Sequence, residues 1–138
     1  MAAGPEAQGT PARGVTFTFD TRVLVALERR KQRAMQVFRA ITQRGFLPVV
    51  PAVVYAEWWR GRTDVREEIV ASVIVEGMTA PLCRAAGEAL AAVAGSTLVD
   101  ATVMASAALR GGGVVYTSDP RDLDRFGRHF PTVHVVRL

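Results

Sequence analysis

The sequence predicts an α/β protein with three layers, in which helices cover both faces of a central, mostly parallel sheet of about five strands. Short apolar or alternating runs, typical of strands, recur along the chain, and segments with apolar residues at helical spacing separate them. Strands joined through helices favour a parallel sheet with helices on both faces. The length of 138 residues suits one domain, and a hydrophobic content of 49% excludes disorder for most of the chain.

Residues 1–13 differ from the rest of the chain. The segment MAAGPEAQGTPAR is rich in Ala, Gly and Pro and has no periodicity, so we predict a flexible N-terminal leader before one folded domain at 14–138. The leader lacks the apolar core of a signal peptide, and no run approaches the roughly 18 apolar residues of a membrane span. The single cysteine, Cys83, excludes an intrachain disulfide and a cysteine-based zinc cluster. These features favour a cytoplasmic protein without membrane association.

Strands are predicted where short apolar runs lie between turn residues. The first of them, VTFTF, alternates with period two, and the fourth follows the turn formed by three consecutive glycines. In chain order the predicted strands are 15–19, 46–50, 73–78, 114–117 and 132–137.

Helices are predicted where apolar residues recur at helical spacing between start and stop signals. Gly45, Gly61 and Gly95 end three of them, and Pro51 can begin one because its missing N–H is not needed in the first turn. In chain order the predicted helices are 21–45, bent or broken near 30–33, then 51–60, 64–72, one from Thr79 to Gly95, one capped by Ser96 or Thr97 that runs to Arg110, and 120–126.

Four acidic residues fall where the carboxyl ends of the strands would meet. Asp20 directly follows the first strand and Asp119 follows the fourth, and parallel α/β sheets form their ligand sites at that edge. Asp100, in the first turn of an Ala-rich helix, and Glu57, near a helix end, can reach the same edge if their helices run beside it. Carboxylate oxygens suit Mg²⁺ or Mn²⁺, and a cation offsets their mutual repulsion. We therefore predict a divalent-cation site.

Helix capping is the alternative explanation for each aspartate. Asp20 and Asp119 stand at ordinary N-cap positions, and Asp100 completes a sequence similar to a capping box. Glu57 is too far from the start of its helix to cap it, and its neighbours are apolar, so a link to Arg60 or Gly61 is its best purely structural explanation. Because an unpaired charge in apolar surroundings costs several kcal/mol, Glu57 is the strongest single indication of a metal site.

The four acids stand in short motifs that follow one another in a characteristic order. They are FDTRVLVAL around Asp20, PAVVYAEWWRG around Glu57, and VDATVMASAALRGGGVVYTSDPRDL, which contains both Asp100 and Asp119. In this order they resemble the PIN-domain family, and more closely the VapC-type toxins of bacterial toxin–antitoxin systems. The resemblance covers residues 15–138 and implies a PIN-like α/β/α fold with these four acids as catalytic metal ligands.

Two positions depart from the family pattern. The family usually has Asn two residues after its first acid, where this chain has Arg22, and many relatives carry an additional Asp three residues before the third acid, where this chain has Thr97. Arg22 can compete with a metal for the carboxylates or bind a substrate phosphate. The departure therefore predicts weaker metal binding or an altered metal preference.

The resemblance implies a Mg²⁺-dependent endoribonuclease toxin, with Mn²⁺ as a substitute ion. One or two ions held by the acids would activate a water for in-line attack on an RNA phosphodiester. Arg22, Arg60 and Arg121 are candidates for binding the RNA backbone, and the formal net charge of +4 fits a polyanionic partner, although a solvated basic surface explains it equally. Two protein partners are also implied, namely a second copy of the chain in a homodimer and a cognate antitoxin.

Rival functions are weighed against this one. A phosphorylation receiver domain and a haloacid-dehalogenase-type phosphatase both need a Lys after a late strand, whereas the only Lys here is Lys31, in an early helix. A catalytically silent PIN scaffold that binds RNA or protein would be expected to lose acids, yet all four are present. A PIN-domain nuclease of RNA processing, outside toxin–antitoxin systems, stays open as the alternative.

Five further residues receive structural interpretations. His129 and His134 have no partners at ligand spacing, so we expect them at the surface or a sheet edge, and Cys83 is expected in the core as a small apolar residue. Trp58 and Trp59 point about 100° apart on a helix, so one is expected in the core and the other at a partner interface.

Overall fold

Five parallel strands form the central sheet of the computed structural model, which describes residues 16–138. The strands are β1 (Phe17–Phe19), β2 (Val49–Pro51), β3 (Ile74–Glu76), β4 (Gly113–Thr117) and β5 (Val133–Arg137). Their order in the sheet is β3-β2-β1-β4-β5, and every neighbouring pair is parallel. The predicted parallel sheet is confirmed, while the predicted leader at 1–13 and the start of the first predicted strand lie outside the described residues.

Seven helices connect these strands within the described part of the chain. They are α1 (Thr21–Glu28), α2 (Gln32–Gln43), α3 (Ala52–Trp58), α4 (Asp64–Ala71), α5 (Ala80–Ala92), α6 (Leu98–Leu109) and α7 (Arg121–Asp124). On one face of β1, the ring of Phe19 lies 6.3 Å from that of Phe38 on α2. On the other face, the hydroxyl of Thr18 accepts a hydrogen bond from Arg110, which follows α6. Since neighbouring residues of a strand point to opposite faces, the predicted three-layer α/β/α arrangement is confirmed.

The predicted bounds differ from the structure most clearly around the second strand. β2 covers Val49–Pro51 rather than 46–50, because Phe46 lies in the turn that ends α2 and donates its N–H to the carbonyl of Ile41. The next helix, α3, ends at Trp58 rather than near Arg60. The predicted break near 30–33 is confirmed, since α1 and α2 are separate helices.

Three helices end in the same left-handed turn. The residue with positive φ is Gly45 (85°) after α2 and Gly111 (94°) after α6, but after α1 it is Arg30 (55°). Arg30 and Lys31 donate their N–H groups to carbonyls in the last turn of α1, at 3.0 and 2.9 Å, which is the Schellman pattern. A side chain with a Cβ costs about 1 kcal/mol in this conformation, so the turn after α1 is strained where the other two are not.

We expect Arg30→Gly to raise the free energy of unfolding by about 1 kcal/mol, because glycine adopts a positive φ without a clash of its Cβ. Thermal and urea unfolding of the native protein and the variant measure the change. Arg29→Gly is the matched control, since Arg29 has an ordinary φ of −85° and gains nothing from glycine. A loss of stability in Arg30→Gly would contradict the strain assigned to this turn.

The core lies between the sheet and the two helical layers. Phe19, Met104 and Phe126 are fully buried, and Trp58 is 3% exposed. Cys83 is exposed, so its predicted place in the core is wrong, because α5 buries the neighbouring face that carries Leu82 instead. The two histidines are exposed, as predicted. None of the helices in 16–138 combines the length and apolarity that crossing a membrane requires.

Candidate active site and family

The strand order changes direction between β1 and β4. The chain passes from β1 outwards to β2 and β3, and later returns to β4 on the other side of β1 and continues to β5. Loops at such a switch point diverge and leave a crevice at the carboxyl ends of the strands. Here a cleft of about 340 Å³ opens at this edge, beside Asp20, which directly follows β1.

Four carboxylates line this acid cleft. They are Asp20, Glu57, Asp100 and Asp122. Three of the four acids predicted from the sequence are thus brought together, from the end of β1, from α3 and from α6. The fourth, Asp122, is in the first turn of α7. Asp122 was missed at the level of sequence, although the spacing of SDPRD, with two acids about one helical turn apart after a strand, indicates it as a second candidate.

Asp119 lines a neighbouring cleft and is bound to Arg121. Its Oδ1 accepts hydrogen bonds from the backbone N–H of Arg121 at 3.3 Å and from Nε of the same residue at 3.1 Å, and its Oδ2 accepts one from the guanidinium at 3.2 Å. The side-chain hydrogen bond from Arg121 is the main reason why the pKa of Asp119 lies below its usual value. The expectation that Asp119 joins the other three acids is therefore not met by this geometry.

Asp20 is the most buried of the cleft carboxylates, at 6% exposure. Its Oδ1 accepts the N–H of Val23 at 3.1 Å and caps α1, so the capping explanation is correct for one of its two oxygens. Burial raises the pKa of Asp20 to about 6. Hydrogen bonds from Thr117 and Val23 lower this pKa, whereas the nearby charge of Asp100 raises it further. Capping does not exclude a ligand role, because a carboxylate offers several lone pairs.

Asp100 is the third residue of α6, and Thr97 is the N-cap of that helix. The Thr97 hydroxyl accepts the N–H of Asp100 at 3.2 Å. Burial raises the pKa of Asp100 above its usual value, and the charges of Asp122 and Glu57 raise it further. Asp100 is thus electrostatically coupled to Asp122 and Glu57, and each of these two charges disfavours its ionised form.

Glu57 lies on the exposed face of α3. The expectation that it sits in apolar surroundings is wrong, because its apolar neighbours Val54 and Trp58 turn inwards on the same helix. The hydroxyl of Thr21 donates a hydrogen bond of 2.5 Å to its Oε1, which fixes the carboxylate against the first turn of α1. Glu57 remains a candidate metal ligand because it lines the same cleft as the other three acids, and not because it is buried.

A hydrogen-bonded network fixes the helix that carries Glu57. The indole N–H of Trp58 donates to Glu28 Oε1 at 3.0 Å, and the other oxygen of Glu28 pairs with Arg66 at 2.8 Å. Arg66 also donates to the carbonyl of Gly61 at 2.9 Å. Trp58 is buried and Trp59 half-buried, so the prediction that one of the two enters the core is confirmed.

The three predicted RNA-binding arginines occupy different positions around the acid cleft. Arg22 is exposed and lines the acid cleft itself, where its charge lowers the pKa of Asp20 and Asp100. Arg60 lines an adjoining cleft, which shares Glu57 with the acid cleft. Arg121 forms an ion pair with Asp119. Only Arg22 therefore shares the cleft with the acids.

The sequence profile of the PIN domain matches residues 17–128. The chain belongs to the PIN-domain family. Because members of this family serve as nucleases in VapC toxins, membership supports a nuclease activity at the level of the family. A search of curated protein sequences finds no significant match.

Solved structures share the fold of this PIN domain over nearly its whole length. VapBC2 from Rickettsia felis, bound to a DNA fragment from its promoter, is 11% identical with a TM-score of 0.67, covering 90% of this chain and 99% of that one. DNA-bound VapBC from Salmonella typhimurium is 17% identical with a TM-score of 0.66, covering 90% and 98%. A toxin–antitoxin complex from Klebsiella pneumoniae is 15% identical with a TM-score of 0.65, covering 89% and 100%. At these identities the likeness is one of fold.

The donor set of this PIN domain fits a hard divalent cation. In residues 16–138, no three carboxylate, His or Cys side chains converge closely enough to form a complete metal-ligand group. Mg²⁺ usually keeps several of its waters and binds proteins through one or two carboxylates, so four acids around one cleft suit an ion bound partly through water. The raised pKa values of Asp20 and Asp100 agree with this, because a cation relieves the crowding of the acids.

Proposed function

We propose that this PIN domain is a Mg²⁺-dependent endoribonuclease, with Mn²⁺ as a substitute ion, and the toxin of a toxin–antitoxin pair. One observation carries the proposal. Carboxylates from four separate elements, the end of β1, α3, α6 and α7, line a single cleft at the switch point of the sheet. Such an arrangement is unfavourable for folding alone, since the charges of Asp122 and Glu57 raise the pKa of Asp100, and that of Asp100 raises the pKa of Asp20. A function that requires a cation explains why it exists.

Each residue of the cleft then has a role. Asp20, Glu57, Asp100 and Asp122 would hold the cation, some of them through its bound waters. When bound, the ion supplies a Lewis acid that lowers the pKa of a water and neutralises charge on the phosphodiester. Thr21 orients Glu57 through its hydroxyl. Arg22, which lines the same cleft, would bind a phosphate oxygen. Asp119 positions Arg121 rather than a metal.

The partners follow from the same proposal. The similar solved structures are described as VapBC or toxin–antitoxin complexes, which supports a cognate antitoxin as partner. We further propose that the domain acts as a homodimer in the cytoplasm. A nuclease of RNA processing is the alternative, and a small antitoxin reading frame beside the gene would favour the toxin.

Cleavage of a single-stranded RNA tests the activity. We expect the native protein to cleave with Mg²⁺ or Mn²⁺ and not with EDTA, and Glu57→Gln to lose roughly 100-fold in rate, because one oxygen ligand is weakened. Glu88→Gln is the matched control, since Glu88 is exposed on α5 and lies outside the acid cleft. Equal cleavage by the native protein and Glu57→Gln would indicate a contaminating nuclease and sink the assignment.

A further inference from the structure

A second groove runs from the acid cleft along α1, and we call it the cationic groove. Its volume is about 470 Å³, its floor includes the apolar side chains of Val25 and Ala34, and its rim carries Arg22, Arg29, Lys31 and Arg33. In the described part of the chain, no Asp or Glu side chain lines it. Arg22 lines both the groove and the acid cleft, so the two depressions adjoin each other.

Three of the four rim cations, Arg29, Lys31 and Arg33, form no ion pair within the described part of the chain. Among residues 16–138, ion pairs engage Arg62, Arg66, Arg110 and Arg121, but none engages Arg29, Lys31 or Arg33. Unpaired cations around an apolar floor repel one another, and a ligand with several negative charges would relieve that repulsion.

The strained turn after α1 places these cations. Arg30 has the left-handed backbone that the other two such helix ends reserve for glycine, and its neighbours Arg29 and Lys31 both line the groove. The turn brings cations from the end of α1 and the start of α2 to the rim of one groove. Local strain that persists at such a point is typical of functional surfaces.

We propose that the cationic groove binds the single-stranded RNA on one side of the phosphate that is cleaved. This inference rests on the proposed function. The four carboxylates of the acid cleft repel every phosphate except one neutralised by a cation, so a strand that leaves the cleft needs a nearby surface with positive charge and without acids. The groove is that surface, and it begins at the cleft. The neighbouring cleft beside Asp119 is less suitable, because Asp119 itself lines it and holds Arg121 in an ion pair.

The groove suits both parts of a nucleotide, the charged phosphate and the apolar face of the base. The phosphates would lie along the rim, where guanidinium groups make forked hydrogen bonds to their oxygens. A base would lie on the apolar floor or stack on the plane of an arginine, which is a common mode of binding unpaired RNA. This arrangement makes no contact specific to one base, so we expect the groove to bind single-stranded RNA without sequence preference.

The test compares two triple variants that lose the same charge. Arg29→Gln, Lys31→Gln and Arg33→Gln together remove three rim cations, whereas Arg39→Gln, Arg84→Gln and Arg128→Gln remove three exposed arginines outside the groove. Both are combined with Glu57→Gln to suppress cleavage. Fluorescence anisotropy with a labelled, unstructured 12-nucleotide RNA measures the dissociation constant over a series of KCl concentrations. Circular dichroism checks that both variants are folded.

We expect the rim variant to bind the RNA at least 10-fold more weakly at low salt. Its salt slope should fall by about 2, since each lost phosphate contact lowers the slope by roughly 0.7 for a single strand. The control variant should stay close to the parent in slope. A strand of the same length with abasic nucleotides should bind the parent more weakly, and equal binding would overturn the role of the apolar floor.

The outcomes separate this inference from the nuclease assignment. Equal slopes for the two triple variants would refute the groove even if the native protein cleaves RNA. A reduced slope in the rim variant supports the groove even if the native protein fails to cleave. If the rim variant keeps its RNA affinity but loses binding of an acidic, amphipathic peptide made of Glu, Leu and Ala, the groove is a peptide site and the RNA inference is overturned.

Discussion

Asp20→Asn is expected to abolish RNA cleavage, by roughly 1,000-fold or more, and at the same time to stabilise the metal-free protein at neutral pH. The loss of activity follows from the place of Asp20 in the acid cleft, where it is the most buried of the proposed ligands. The gain in stability follows from its pKa, which burial raises to about 6 from an ordinary value of 3.8. Asparagine caps a helix as well as aspartate does but carries no charge.

The pH dependence of this gain has a definite sign. Between pH 4 and 6, the native state keeps the proton of Asp20 that the unfolded state has already lost, so the free energy of unfolding falls as the pH rises through this window. Above pH 6 the full cost remains, up to about 3 kcal/mol for a shift of this size. Below pH 4 the carboxyl is protonated in both states, and the native protein and the variant should be equally stable.

Urea unfolding in EDTA at pH 4, 5, 6 and 7.5 measures this effect. The variant should exceed the native protein in stability by only about 0.5 kcal/mol at pH 4, and by about 1 to 3 kcal/mol at pH 7.5. Adding Mg²⁺ should reduce this difference in the free energy of unfolding. The ion binds the folded native protein more tightly than the variant and therefore stabilises the native protein more. A variant less stable than the native protein at pH 7.5 in EDTA would show that Asp20 serves the fold more than the cation.

Asp122→Asn should reduce RNA cleavage by roughly 100-fold, whereas Asp119→Asn should reduce it by only a few-fold. The reason is their geometry, since Asp122 lines the acid cleft and Asp119 is occupied by Arg121. The charge of Asp122 also raises the pKa of Asp100, so the Asn variant should lower that pKa towards its ordinary value while weakening the cation site.

Initial cleavage rates at several Mg²⁺ concentrations separate these two aspartates. Asp124→Asn is the matched control, because Asp124 is exposed on the same short helix and does not line the acid cleft. A larger loss for Asp119→Asn than for Asp122→Asn would reverse the assignment. It would mean that Asp119 releases Arg121 when RNA or a cation binds.

The fold was predictable wherever local signals decide it. The alternation of strands and helices, the break after α1 and the glycine that ends α2 all follow from periodicity and turn chemistry within a few residues. The sheet order β3-β2-β1-β4-β5 does not, because it depends on pairings such as that of Thr18 with Val49, which are distant in the chain.

The candidate site was predictable in its chemistry but not in its geometry. Motif order identified Asp20, Glu57 and Asp100, and the structure brings them together. The exposure of Glu57 could not be predicted from the sequence. It depends on which face of α3 is buried, and the buried Trp58 on that face is hydrogen-bonded to Glu28, 30 residues away in the chain. The choice between Asp119 and Asp122 depends on where one arginine side chain lies, which no spacing rule encodes.

The network around Trp58 also gives the protein an optical property. The chain has only two tryptophans, and both directly follow Glu57, with their rings 6.1 Å apart. All the tryptophan emission of the protein therefore originates within two residues of Glu57, which lines the acid cleft. A change in charge or hydration at Glu57 acts on the indoles that emit, so occupancy of the cleft can be followed in unlabelled native protein.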